Sequence, residues 1–225
     1  MSSFNEAFRI LASNVMAMVG ELARPTVVVT SSKAEEGKTV IASKLATSVA
    51  ASGKRVIAVD LDLRNPGVHT ALGVHNRFGA SDVLRGRRKL GDCLQYVQLP
   101  ARGGADERGL FVVAAGPSVP EPNELLALPR TAGMLERLAA QADLVIIDSP
   151  PVLAVADALT IGRVAGAAVL VVDTRRTTAD AVQRSRDLLL RNQTRILGMA
   201  LNQVQDSDAT VSADYGYGYG PGATV

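Results

Sequence analysis

A single cysteine, Cys93, among 225 residues excludes an internal disulfide. With no companion cysteine or adjacent histidine it makes no metal site either, and it reads as a core thiol. Histidine is nearly as scarce. His69 and His75, the only two, lie six apart in a loop-like stretch and match no ligand-spacing template, so both read as structural. Charge of one sign is also lacking, since the formal net charge of +2 is too small to argue for nucleic acid as a partner. The densest basic run, Arg85, Arg87, Arg88 and Lys89, reads as a solvated face or a contact for an acidic partner segment. No apolar run approaches the roughly 20 residues of a membrane-spanning helix. Met1 to Ile10 lacks the basic-then-apolar order of a secretory signal, so the chain as given is expected to be cytosolic.

What is present is apolar and periodic. With 47% hydrophobic and 20% charged residues, the chain can bury one sizeable core, and residues 1–205 are expected to form one domain. Ser3 and Glu6 make a capping box, and Phe8, Leu11, Val15 and Met18 recur at helical spacing before Gly20, giving an N-terminal helix over 4–20. Thr26 to Val29 reads as a strand, Ser31 to Lys38 as a loop, and Thr39 to Ala51 as a helix closed by Gly53. Arg55 to Val59, Leu110 to Ala114, Leu144 to Ile147, Ala168 to Val172 and Ile196 to Leu201 read as further strands. Helical stretches at Arg130 to Ala142 and Thr178 to Arg191 separate some of them. Apolar strands alternating with helices imply an α/β fold: a mostly parallel β-sheet flanked by helices on both faces. From Asp206 onward the periodicity stops, and residues 206–225 are expected to be a disordered Tyr/Gly tail.

In such a sheet, ligands bind beyond the carboxyl ends of the strands. Three of those ends carry chemistry. The first, Ser32-Lys33-Ala34-Glu35-Glu36-Gly37-Lys38-Thr39, follows a strand and opens a helix, with the Gly-Lys-Thr end of a P-loop but serine in place of its leading glycine. Backbone amides and the helix N-terminus would cradle phosphates, Lys38 would reach the β and γ groups, and the Thr39 hydroxyl would ligate Mg²⁺. The second is Asp60-Leu61-Asp62-Leu63-Arg64, whose alternate positions bring two carboxylates together. Two such charges about 5 Å apart repel by roughly 3 kcal/mol at an effective dielectric of 20, which a bound cation reverses. The third, Val145-Ile146-Ile147-Asp148-Ser149-Pro150-Pro151, is an apolar strand ending in an acid, as in a Walker B element. Each is common by chance; together they point to nucleotide binding in one crevice.

These residues resemble the bacterial tyrosine kinases, P-loop proteins with a deviant Walker motif that act in capsule and exopolysaccharide production. Asp60-Leu61-Asp62-Leu63-Arg64-Asn65-Pro66 looks like that family's Walker A′ element, and Ile147-Asp148-Ser149-Pro150-Pro151 with Asp157 downstream looks like its Walker B segment. Lys33 falls where the wider class keeps a signature lysine, Pro117 to Leu126 is similar to a loop of these kinases, and the tail is similar to their tyrosine cluster. The resemblance implies ATP and Mg²⁺ as cofactors. It implies Lys38, Asp60 and Asp62 as catalytic residues, with Asp60 nearest the incoming phenol. Ser32, Lys33, Glu36, Gly37, Lys38, Thr39 and Val40 would line the nucleotide, with Asn202 facing the adenine. Thr39, Asp62 and Asp148 would organise the metal shell. Tyr215, Tyr217 and Tyr219 would be phosphoacceptors, spaced by single glycines that leave each free to enter an active site. Asp206 to Tyr219 spans at most about 45 Å, enough to reach a neighbouring subunit. The family further implies a homo-oligomer and a transmembrane activator, a polysaccharide co-polymerase, separate or fused, which would hold the kinase at the inner face of the membrane.

The sequence also departs from the family. Ala34-Glu35 stands where a Pro-Gly step is common, removing a residue that tolerates positive φ. An inward Glu35 about 8 Å from a phosphate would cost roughly 2 kcal/mol per charge. Glu6 and Arg9 match two positions of a Glu-x-x-Arg-x-x-Arg pattern linked to ring assembly, but Ala12 holds the third. Two other readings stay open: a ParA- or MinD-like ATPase switch, and a scaffold that binds nucleotide without transferring phosphate.

Overall fold

The computed structural model describes residues 3–100 and 108–204, so the expectations for the tail lie outside the described residues. Helix α1 (Ser3–Val19) is followed by β1 (Thr26–Ser31), α2 (Lys38–Ala51), β2 (Val56–Asp60) and two five-residue helices, α3 (Val68–Leu72) and α4 (Ala80–Leu84). A 3₁₀ turn at Leu90–Cys93 leads into β3 (Leu94–Gln98) and then β4 (Gly109–Val113). The remainder alternates: α5 (Pro122–Ala127), α6 (Pro129–Ala139), β5 (Leu144–Asp148), α7 (Asp157–Ala165), β6 (Ala167–Asp173), α8 (Ala179–Arg191) and β7 (Arg195–Asn202).

The seven strands form one sheet in the order β3-β4-β2-β5-β1-β6-β7. All neighbouring pairs are parallel except β3 with β4. The apolar runs do not announce that antiparallel edge. Its residues are half-buried or exposed rather than fully covered, so β3 carries no continuous apolar signal. His69 is likewise corrected, since it falls in α3 rather than in a loop.

Both faces are covered, and alternation along the strands decides which residue faces which layer. Val27 and Val29 join Phe8, Val15, Ile41, Leu45 and Val49 in one core beneath α1 and α2. Val28 and Val145 point the other way, into a second core with Met134, Leu135 and Leu138 of α6 and Ile161 of α7. Each such side chain, fully withdrawn from water, contributes about 1.5–3 kcal/mol. Helix α2 is apolar on more than one side because α1 packs over it, and Ala42, Ala46 and Ala50 let the layers approach. Cys93 is fully buried, as a core thiol should be. Ala12 is buried in the first core, beneath α1 and α2, so an arginine at that position would have to leave it.

Candidate active site

Strands β2, β5 and β1 lie side by side, so their carboxyl ends bring Asp60, Asp148 and the Ser31–Lys38 loop into one crevice. Asp60 and Asp148 are register partners on adjacent strands. Asp60 is fully buried, and both its oxygens accept backbone N–H groups: Oδ1 from Asp62 (3.1 Å), Oδ2 from Gly67 and Val68 (both 3.0 Å). The geometry therefore makes Asp60 the residue that shapes the loop after β2, and it is enclosed rather than open to a phenol. Asp62 is the freer partner: Oδ1 accepts from Asn65 N–H (3.0 Å), while Oδ2 meets Lys38 Nζ at 3.1 Å.

Thr39 donates its hydroxyl to Asp148 Oδ2 at 2.6 Å, leaving Asp148 Oδ1 buried without a partner. Burial, followed by repulsion from Asp148 and Asp62, pushes Asp60 up to about 8 against the ordinary 3.8. Burial pushes Asp148 up to about 7, opposed by the Thr39 hydrogen bond and Lys38. Three mutually repelling acids thus share one nearby cation, Lys38, and Asp148 Oδ1 is left without a partner. That charge balance fits a divalent cation. Among the described residues no three acidic, histidine or cysteine side chains converge closely enough to hold a metal alone, so phosphate oxygens and water would complete its shell.

The loop itself is built around two unusual residues. Gly37 has φ +89, and a Cβ there would lie 2.2 Å from Asn202 Nδ2, so only glycine fits. Asn202 Nδ2 donates to the Glu36 carbonyl at 3.0 Å, which ties the end of β7 to the loop. Glu35 takes a left-handed φ of 64 without being glycine, and its exposed carboxylate turns outward to Arg176 at 3.4 Å. The repulsion that an inward Glu35 would cause is thereby avoided, and a small backbone strain remains. Replacing Glu35 with glycine is expected to raise stability by about 1 kcal/mol, or about 2 °C in the thermal midpoint, because the exposed ion pair is worth less than the strain. A lowered midpoint would mean that the strain is absent.

Of the other residues expected here, Ser32 and Lys33 turn their N–H groups to the Glu36 carboxylate (2.8 and 3.1 Å) rather than to an open site. The Lys33 side chain is exposed, and Val40 stands exposed beside Thr39 at the start of α2. Two contacts are invisible in the sequence. Asp157, nearly fully buried, holds Arg64 through two hydrogen bonds of 2.8 and 3.1 Å, bracing the loop after β2 against α7. Thr177, just beyond β6, donates its hydroxyl to Glu36. It too follows a strand end, and that is the signal available for it.

A phosphate loop with Lys38 and Thr39 at a helix start, beside carboxylates from two neighbouring strands, defines a P-loop nucleotide-binding domain. The family model described as "CobQ/CobB/MinD/ParA nucleotide binding domain" matches residues 27–215. Tyrosine-protein kinase YwqD of Bacillus subtilis is 32% identical over 212 residues, covering 94% of this chain and 86% of that protein. Tyrosine-protein kinase etk of Escherichia coli is 34% identical over 199 residues, 88% of this chain but only 26% of that longer protein. The solved kinase domain of that Escherichia coli kinase superposes with a TM-score of 0.80 at 31% identity, covering 96% of this chain and 80% of the domain. The chain belongs to the bacterial tyrosine-protein kinases. Among the described residues no helix is long and apolar enough to cross a membrane.

Proposed function

We propose that the chain transfers the γ-phosphoryl group of ATP to tyrosine hydroxyls, foremost Tyr215, Tyr217 and Tyr219 of its own tail. The observation that carries this reading is the link between tail and site. Strand β7 ends at Asn202, which is hydrogen-bonded to the phosphate loop, and the tyrosine-bearing sequence follows it in the chain. Tyr215 follows 13 residues later, within reach of this site or of a neighbour's.

In this mechanism Lys38, parked on Asp62, moves to the β and γ phosphates when ATP enters, which frees Asp62 Oδ2 for the metal shell, and a carboxylate in the crevice accepts the phenolic proton. The first-turn amides of α2, which have no intrahelical partners, bind phosphate oxygens. Thr39, Asp62 and Asp148 would hold Mg²⁺, which spreads the charge of the transferring group. Asp60 keeps the loop after β2 in place. Asn202 would face the base. We further propose a homo-oligomer that works at the inner membrane face beside a transmembrane polysaccharide co-polymerase, regulating capsular or exopolysaccharide synthesis and export.

Mass spectrometry after incubation with Mg-ATP and a candidate activator segment tests the reading. Phosphate is expected on Tyr215, Tyr217 and Tyr219, and a Tyr→Phe replacement of all three should remove most of it. ATP binding or hydrolysis without any phosphotyrosine would instead favour the switch or scaffold readings.

A further inference from the structure

Glu36 carries its charge into the interior right beside the place where a polyphosphate binds. Its side chain is only 3% exposed. An acid there repels the nucleotide, so its presence calls for a job that offsets the repulsion. The hydrogen bonds indicate one. Oε2 accepts the Ser32 and Lys33 N–H groups, folding the first half of the loop around the carboxylate, and Oε1 accepts the Thr177 hydroxyl across 141 residues of sequence. Thr177 is itself pinned, its N–H donating to the Asp173 carbonyl at the end of β6 (2.9 Å). A second tie runs parallel: Ser185 of α8 donates to Ser32 Oγ at 2.9 Å, both residues being fully buried. The first half of the loop is thus fastened to β6 and α8. The second half, Gly37 to Thr39, opens α2, whose first-turn amides have no intrahelical partners.

We propose that Glu36 is a positioning residue for nucleotide binding: with Thr177 it forms a staple that holds the phosphate loop in its binding shape before nucleotide arrives. This rests on the reading of the chain as an ATP-dependent kinase. A loop ordered in advance binds more tightly because no ordering entropy is lost on binding. The staple is also selective in chemistry. A glutamine can reproduce it, with its carbonyl oxygen accepting the two amides and its NH₂ donating to a Thr177 hydroxyl that reverses its role. An alanine cannot.

The experiment uses the full chain and reads three quantities: the Kd of a fluorescent Mg-ATP analogue, the single-turnover rate of phosphotyrosine formation at saturating Mg-ATP, and amide hydrogen exchange at Ser32 and Lys33 without nucleotide. Glu36→Ala is expected to raise Kd about ten- to a hundredfold, as for loss of hydrogen bonds to a charged group, and to expose both amides to exchange. The saturated rate should change less than about threefold, because a loop that has bound nucleotide is already shaped. Thr177→Val should raise Kd about five- to tenfold by the same route. Glu36→Gln should stay within about threefold of wild type. Should Glu36→Ala fail to fold, Thr177→Val on the half-buried partner decides the matter. Unchanged Kd and exchange in Thr177→Val, or a Glu36→Gln as weak as the alanine variant, overturns the proposal. A wild-type protein that binds no Mg-ATP or forms no phosphotyrosine points instead to failure of the kinase reading, and is seen before any variant is compared.

Discussion

Lys38→Met is expected to lower phosphotyrosine formation by about a thousandfold and, separately, to destabilise the protein by about 3–5 kcal/mol. The first effect follows from chemistry: phosphoryl transfer depends on charge compensation at the β and γ phosphates, and methionine supplies none. The second follows from the burial of its ion pair. Lys38 and Asp62 are both largely buried and 3.1 Å apart, so removing the ammonium strands a carboxylate away from water. The two losses are separable. Adding Asp62→Asn to Lys38→Met removes the stranded charge and should recover most of the stability, measured as the urea midpoint, while phosphotransfer stays absent. Retained phosphotransfer in Lys38→Met would remove the lysine from the mechanism. Retained stability would show that the pair is not an enclosed one.

The carboxylates at the ends of β2 and β5 give the second large effect, and its sign is opposite to that of a salt-bridged acid. Asp60 and Asp148 are raised to about 8 and about 7 from 3.8. The folded protein therefore holds protons that the unfolded chain has already released, and stability falls as pH rises from about 4 through 8. Below about pH 4 both states are protonated and this contribution is fully present. Thermal melts without nucleotide or Mg²⁺ should show the midpoint dropping between pH 5 and 8. Asp148→Asn should flatten that drop and stabilise the protein at pH 8 by about 2 to 4 kcal/mol. Its amide oxygen can still accept from Thr39, and its nitrogen replaces the oxygen that had no partner. Mg-ATP should act in the reverse sense, raising the midpoint more at pH 8 than at pH 6, because a cation needs these groups ionised. A wild-type midpoint that rises from pH 5 to 8 would mean the carboxylates are not held in their neutral form.

Part of this site is legible in the amino-acid sequence alone, and the division has a physical basis. The phosphate loop, Asp60, Asp62 and Asp148 can be read because each depends on a local rule, a strand end followed by a loop. The central strands can be read because both of their faces are covered, which writes an unbroken apolar run. Strand β3 lacks that signature at a half-covered edge, and α3 and α4, at five residues each, are too short to show a helical period. Asp60 sits at the strand end that its sequence context implies, but the three amides it accepts, from Asp62, Gly67 and Val68, cannot be read from that context. The pairs Arg64 with Asp157 and Thr177 with Glu36 join residues 93 and 141 positions apart, and no spacing rule reaches that far.

The position of β1 at the middle of the sheet bears on how the protein is made. Its partners are β5 and β6, through pairs such as Thr26 with Val145 and Val28 with Ala168. The strand that launches the phosphate loop leaves the ribosome before either of its partners, and it stays unpaired on both sides until more than a hundred further residues are synthesised. The clamp on Glu36 comes later still, when Thr177 emerges. A nascent chain released early therefore presents an apolar, unpaired strand and no nucleotide pocket. Competence for nucleotide arrives in one late step, close to the moment at which β6 docks and the tyrosines are about to be added.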